Sequence, residues 1–491
     1  MRPFRTAFPL AVPLVSLFLG MAPLALADGL PDLGESAQGD FSPQVEKRVG
    51  ETFMREIRMR EPAYVDDPEI NSYVSRLGKA LAVQGDDKTQ QFEFFALRDA
   101  TLNAFAMPGG FIGIHTGLLQ SAQSESELAG VLAHEISHVT QRHLARLVAK
   151  QSQGQLAAML SLAAAVLAAR SNPDVAIGAV LAGQAAAIQN QLNYSRDFER
   201  EADRIGLGLL ERAGYDVRGM GSFFERLQKF GRLYENNAPA YLRTHPLTQE
   251  RIADMGSRIE TRPYKQVPDS LDFHLVRAKL KSQEGAVADA IAYFQDQLRE
   301  KKFASEPAVR YGLARAALRG NKLDLADEQF GHLRRLKTAS PMVETLAAEL
   351  RGAHKDTAGA IAILREAATR YPQERGIAYA LVEALLAGGR GDEALKFATA
   401  DIEGHTADFR MRNLQAKAYA MQGKRLRHHW AQAESYALQG LLQPAIDQLQ
   451  LAQRAPDGDF YERSQVDARF RELKALRLEE LREQQRREQR R

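Results

Sequence analysis

The chain has 491 residues, 45% hydrophobic and 26% charged, a globular balance in a length that exceeds one compact core and calls for two or more folded units. Its 65 Lys and Arg against 62 Asp and Glu leave a formal charge of +3, which gives no ground for nucleic acid as a partner. Zero cysteines exclude disulfides, thiol nucleophiles, thiolate zinc sites and lipid attachment through an N-terminal cysteine, so any metal must be held by His, Asp and Glu.

The N-terminus reads as an export signal. Arg2 and Arg5 precede an apolar run from Ala7 to about Met21, and Ala25-Leu26-Ala27 supplies small residues for cleavage, so residues 1–27 are expected to be removed. Pro9, Pro13 and the shortness of the run argue against a membrane anchor. A cysteine-free exported chain is expected to be soluble in the periplasm of a two-membrane bacterium.

Val45, Val49, Phe53 and Ile57 recur at a spacing of four and predict a helix, as do Ile70, Tyr73, Val74 and Leu77. Residues 92–97 read as a strand. Asn103 to Met107 and Phe111 to Ile114 read as a β-hairpin closed by Pro108-Gly109-Gly110. Ser124 followed by Glu127 fits a capping box opening one long helix from Ser124 to Lys150. The Ala- and Leu-rich stretch from Leu156 to Ile188 is broken by Arg170-Ser171-Asn172-Pro173-Asp174 into halves of about 14 residues, too short to span a bilayer. A helical hairpin that is buried or covers a groove is the expected form; insertion into a membrane or gating of a site is the alternative.

Beyond about residue 270 the pattern repeats. Ala278, Ala314, Ala348, Val382 and Ala433 each precede by twelve residues an alanine, at Ala290, Ala326, Ala360, Ala394 and Ala445, and those alanines step by 36, 34, 34 and 51 residues. A period of 34 with small residues where two helices cross indicates tetratricopeptide repeats, whose stacking builds a concave surface for protein segments. The long last step predicts a spare helix or irregular repeat between Asp408 and Arg427. The chain closes on a polar, mixed-charge helix or tail.

His134-Glu135-Ile136-Ser137-His138 carries the chemistry. A spacing of four sets both imidazoles on one helix face, where their nitrogens can converge on one ion, and Glu135 then points at the water on that ion. Leu128, Val131, Leu132 and Val139 give the same helix an apolar face. A protease zinc needs a third protein ligand and an open position. Glu199 and Asp203, four apart at the start of another amphipathic helix, suit one carboxylate on the metal and one behind a ligand imidazole. Glu201 lies on a different face and is expected to pair with a basic neighbour, although residue chemistry alone leaves Glu199 and Glu201 both open as the ligand. His245, stiffened by Pro246, is open to three readings: an ordinary loop residue, a fourth ligand in the open zinc position, or an oxyanion stabiliser. His115 and His143 read as structural, the first ending a strand and the second five residues from His138, off the metal-facing stripe. An extended substrate could pair with Asn103, Ala104, Phe105 and Ala106 as an edge strand, which would select loosely folded chains by backbone rather than by one side chain.

Together, His134-Glu135-x-x-His138 and Glu199-x-x-Ala202-Asp203 resemble the peptidase family that contains the heat-shock membrane protease HtpX and the eukaryotic prenyl-protein endopeptidases. The resemblance implies one Zn2+ per subunit on His134, His138 and Glu199, Glu135 as the catalytic base, and His245 as a residue that can coordinate zinc and hold the enzyme latent. The implied fold is a zincin-like α+β metalloprotease domain of the gluzincin type, mostly helical with a small sheet, over residues 28–265. An all-α repeat solenoid over 270–475 and a charged tail over 476–491 would follow. Exported, repeat-bearing members imply unfolded or misassembled outer-membrane proteins as substrates, the β-barrel assembly machinery as a partner of the repeats, and a chaperone role beside or instead of proteolysis.

Overall fold

The computed structural model describes residues 42–149, 196–233 and 240–489. The signal segment and the hairpin expected between Leu156 and Ile188 lie outside the described residues. The first helices are α1 (Pro43–Arg60) and α2 (Pro68–Ala82), each opened by proline at its first turn and by a capping side chain, Ser42 for α1 and Asp67 for α2. Strands β1 (Glu93–Leu97), β2 (Ala104–Met107) and β3 (Phe111–His115) form one sheet in the order β1-β3-β2. β1 runs parallel to β3 with Phe94 opposite Ile112, and β2 runs antiparallel to it with Ala104 opposite Ile114. The expected hairpin is therefore present, its turn a single 3-10 turn in which Gly109 and Gly110 take φ of 79° and 90°, values that disfavour a side chain. β2 forms one edge of this sheet.

The short α3 (Thr116–Ser121) leads into α4 (Glu125–Thr140), whose residues from Glu125 to His138 are all buried. Ser124 caps it through the Glu127 amide, and Glu127 turns back to accept from the Gln123 amide, one residue earlier than a standard capping box. The single helix expected over Ser124–Lys150 is in fact two. Arg142 adopts φ of 51°, and α5 (His143–Ala149) departs from the break. Left-handed backbone costs a non-glycine residue about 1–2 kcal/mol. Here Arg142 donates through Nε and Nη2 to Glu46 of α1 at 3.2 and 2.6 Å, which ties the break to a second element.

α6 (Arg196–Arg212) lies across α4, with α7 (Arg218–Leu233) beside it. Gly206 makes the crossing close: a Cβ there would stand 3.1 Å from the Ala133 carbonyl carbon and the His134 amide nitrogen. A five-residue α8 (Ala240–Thr244) and α9 (Gln249–Glu260) complete this region. No described helix is long and apolar enough to cross a membrane.

Twelve further helices follow. The pairs are α10 (Leu271–Ser282) and α11 (Val287–Glu300), α12 (Glu306–Arg319) and α13 (Leu323–Arg335), α14 (Pro341–Ala353) and α15 (Thr357–Arg370), and α16 (Arg375–Ala387) and α17 (Gly391–Gly404). Then come α18 (Phe409–Met421), α19 (Arg425–Leu438), α20 (Leu442–Gln453) and α21 (Phe460–Gln489). All ten small residues of the twelve-residue offset are buried where helices cross, and α18 occupies the interval where an extra helix was expected. The boundary expected at residue 475 falls inside α21.

The division near residue 270 does not divide the core. One apolar cluster runs from Val65 through Leu132 and Leu210 to Leu350, joining α2, the sheet and α4 to the first repeats. Separate clusters hold the later repeats together. The acidic first turn of α2 sits against the repeat helices: Lys279 of α10 lies 2.6 Å from Asp67 and 2.5 Å from Glu69, and Thr345 of α14 donates to Glu69. Farther along, Arg76 pairs with Asp272 and Glu374, and Arg55 of α1 donates to the Gly440 carbonyl at 2.9 Å and meets Glu480 at 3.3 Å.

Candidate metal centre

Helix α4 presents His134 and His138 one turn apart, their Nε2 atoms 2.9 Å from each other. α6 brings Glu199, whose carboxylate oxygens lie 3.5 Å from each of those nitrogens. The backbone after α8 brings His245, with Nδ1 3.3 Å from His134 Nε2 and 3.1 Å from Glu199 Oε1. One ligand atom from each of the four residues falls within 4.8 Å of the others, and all four residues are buried. Ligand atoms about 2.0–2.1 Å from a tetrahedral ion stand roughly 3.3–3.4 Å apart, so three nitrogens and an oxygen at these separations fit one such cation.

Glu135 supports the same reading. Both of its carboxylate oxygens are buried without a hydrogen-bond partner among the described residues, and Oε1 lies 3.4 Å from His245 Nε2. A buried carboxylate left unpaired costs stability unless the site supplies a partner, as a metal-held water would.

The supports of the donors are built in. Asp203 Oδ1 stands 2.9 Å from His134 Nδ1, on the ring edge opposite the cluster. Arg251 of α9 holds Asp203 by two bonds of 2.7 and 2.8 Å, reaches Glu199 at 2.8 Å and donates to the Pro246 carbonyl at 2.7 Å. One guanidinium thus locks both carboxylates and the His245-Pro246 backbone. Tyr241 stacks on His245 at 4.6 Å and 26°. Arg251 and Tyr241 were not singled out from sequence: neither belongs to a spaced motif, and their roles arise only where α8 and α9 fold over α6.

Glu201 faces away from the cluster and accepts from Arg146 at 2.9 Å, the basic partner expected for it. His143, by contrast, touches a ligand: its Nδ1 lies 2.8 Å from His138 Nδ1. In an unbroken helix His143 would lie off the metal-facing stripe, but the break at Arg142 turns it back toward His138. His115 contacts Thr101 at 2.8 Å and lies outside the four-donor group.

Electrostatics follows from burial and these contacts. Burial works against protonated His134, but Asp203 and Glu199 outweigh it and raise the imidazole to about 9. Burial and the charge of His134 push His138 well down, and burial lowers His143 to about 4. Burial would raise Glu199 and Asp203, yet His245 and His134 hold the first well below the usual carboxylate range and Arg251 and His134 lower the second. Both carboxylates are thereby held toward their ionised form, which suits them to a cation.

Of the expected substrate strand, Ala104, Phe105 and Ala106 lie in β2, which packs on α4, and Asn103 precedes it. The Tyr241 amide donates to the Leu102 carbonyl at 3.1 Å, which brings the segment bearing His245 to the start of this strand.

Residues 68–259 match peptidase family M48, and residues 353–418 match a tetratricopeptide repeat family. A Vibrio cholerae protein is 39% identical over 300 residues, 61% of this chain and 62% of that protein, so that match spans less than two thirds of the relative. The beta-barrel assembly-enhancing protease of Escherichia coli is 30% identical over 451 residues, 92% of either chain. The mitochondrial metalloendopeptidase OMA1 of Arabidopsis thaliana is 34% identical over 203 residues, 41% of this chain and 39% of that one. With a buried His-His-Glu-His group suited to a metal ion, a small sheet among helices and a repeat region behind them, the chain belongs to peptidase family M48 and is a metalloendopeptidase.

Proposed function

We propose that this protein is a zinc endopeptidase of the bacterial periplasm that cuts unfolded or misassembled outer-membrane proteins. The observation that carries the catalytic reading is Glu135, buried and without a hydrogen bond among the described residues, beside four converging donors. The names of the full-length relatives support the substrate class. In this reading His134, His138 and Glu199 hold one zinc, Asp203 orients His134, and His245 supplies a fourth ligand that closes the site in a latent state. Zinc, when bound, lowers the pKa of water and polarises the scissile carbonyl. Glu135 accepts a proton from the attacking water and passes it to the leaving amine. β2 pairs with the extended substrate through backbone hydrogen bonds, and the repeats hold the client or the β-barrel assembly machinery.

The latency is tested by His245→Ala, which should keep zinc and raise cleavage of an unfolded substrate; loss of zinc and activity together would make His245 a required ligand. The closed donor set also favours a second reading, an assembly factor whose protease is normally shut. The groove lined by Phe409, Arg410, Asn413, Lys417 and Tyr436 is the surface that reading needs. Deleting residues 270–491 would not test it, because the first repeats share the protease core. Arg410→Ala combined with Lys417→Ala, compared in cells with Glu135→Gln, separates the two: an assembly defect confined to the groove variant favours the second.

A further inference from the structure

The two ligand imidazoles of α4 are supported differently. His134 meets a carboxylate directly, whereas His138 meets a second imidazole, that of His143, at 2.8 Å between Nδ1 atoms, with ring centroids 4.9 Å apart at 75°. On its far edge His143 Nε2 lies 3.1 Å from Glu201 Oε2, the oxygen that also accepts from Arg146. Phe198 lies flat against the His143 ring at 4.6 Å and 10°, and the Arg146 guanidinium stands 4.5 Å from the Phe198 centroid. His143 is fully buried, so its ring is held on both edges and on one face.

The hydrogen-bond polarity of this chain has one consistent solution. If His138 offers Nε2 to a metal, its proton sits on Nδ1 and needs an acceptor. His143 can accept only through an unprotonated Nδ1, which puts its own proton on Nε2, facing Glu201. Carboxylate, imidazole, ligand imidazole and metal site therefore form a four-member relay in which each donor has one acceptor. The geometry depends on the left-handed residue Arg142, because an unbroken helix would turn position 143 away from position 138.

We infer that His143 and Glu201 are positioning residues for the ligand His138: together they fix its ring orientation and its Nδ1-protonated tautomer, and so pre-organise the metal centre. This rests on the metal-centre reading above. Outer partners of this kind typically govern about 10–100-fold in metal affinity. A histidine that merely fills space would govern melting temperature and leave the metal equilibrium unchanged.

The test is a Co(II) titration of the full chain against a competing chelator, with the visible spectrum of the bound cobalt as a second readout. It compares wild type, His143→Phe, which keeps the volume without nitrogen, His143→Gln, whose amide can accept from His138 and donate to Glu201, and Glu201→Ala at the more exposed end. The expected result is Co(II) binding about 10–100-fold weaker, with a shifted spectrum, in His143→Phe and Glu201→Ala, and partial recovery in His143→Gln. Should His143→Phe fail to fold, Glu201→Ala against wild type carries the comparison alone. Affinity within twofold of wild type and an unshifted spectrum in the folded variants would overturn the relay while leaving the metal centre intact; a wild type that binds no Co(II) would overturn both.

Discussion

Arg251 is the residue on which most of the buried charge depends. Its side chain is 1% exposed and faces Asp203 and Glu199, which are 3% and 1% exposed. Removing one partner of such a group strands the others at a cost of about 3–5 kcal/mol. Arg251→Met should therefore lower the metal-free melting temperature strongly and free the Pro246 carbonyl, loosening His245 as well. A melting temperature within a few degrees of wild type would show the carboxylates to be satisfied without it. The motif residues were legible because helix geometry fixes their convergence: a spacing of four puts His134 and His138 together in any helix. Arg251 was not legible, since its carboxylate partners lie 48 and 52 positions back in the chain and no local pattern encodes them. Glu199 against Glu201 was left open by residue chemistry. The structure turns the first into the cluster and the second toward His143 and Arg146.

Among the elements, the crossing of α4 and α6 sets the distance between the histidines and the carboxylates. Gly206 is the contact point, with helix backbone rather than a flexible side chain opposite it. Gly206→Ala should push the helices apart by a few tenths of an ångström, cost about 1–3 kcal/mol and weaken metal binding, because Glu199 and Asp203 ride on α6. Isothermal titration with Zn(II) checks this; unchanged affinity would mean the crossing can relax without moving the donors. The elements themselves were largely readable from period and caps: the hairpin, the start of α4 and the repeat helices stand where patterning put them. What patterning missed was the end of α4. Nothing in Thr140-Gln141-Arg142-His143 is a glycine or proline, and the left-handed Arg142 at the break bonds Glu46, nearly a hundred residues earlier.

For the whole molecule, the first repeats share the core of the protease fold. Lys279 of α10 is buried between Asp67 and Glu69 of α2, so Lys279→Met should lower one shared unfolding transition by up to about 3 kcal/mol, measured by calorimetry, rather than detach an independent domain. Burial would raise Asp67, but the charge and hydrogen bond of Lys279 and the Ile70 amide outweigh it and hold the carboxyl below its usual range. Its contribution is then complete above the unfolded value near about 4 and is lost as pH falls through the lower folded value, so stability should drop in acid and do so less in Lys279→Met. The repeat period was plain in the sequence; that its first members pack against α2 was not, because a twelve-residue offset reports helix against helix and says nothing of what else those helices touch. Activity is expected to depend above all on Glu135 acting beside a metal held by His134, His138 and Glu199. Its most direct test is the cleavage of an unfolded β-barrel precursor by wild type and Glu135→Gln with zinc and with chelator: zinc-dependent cleavage by the wild type and none by a Glu135→Gln protein that still binds zinc is the expected result, and equal cleavage by the two would contradict it.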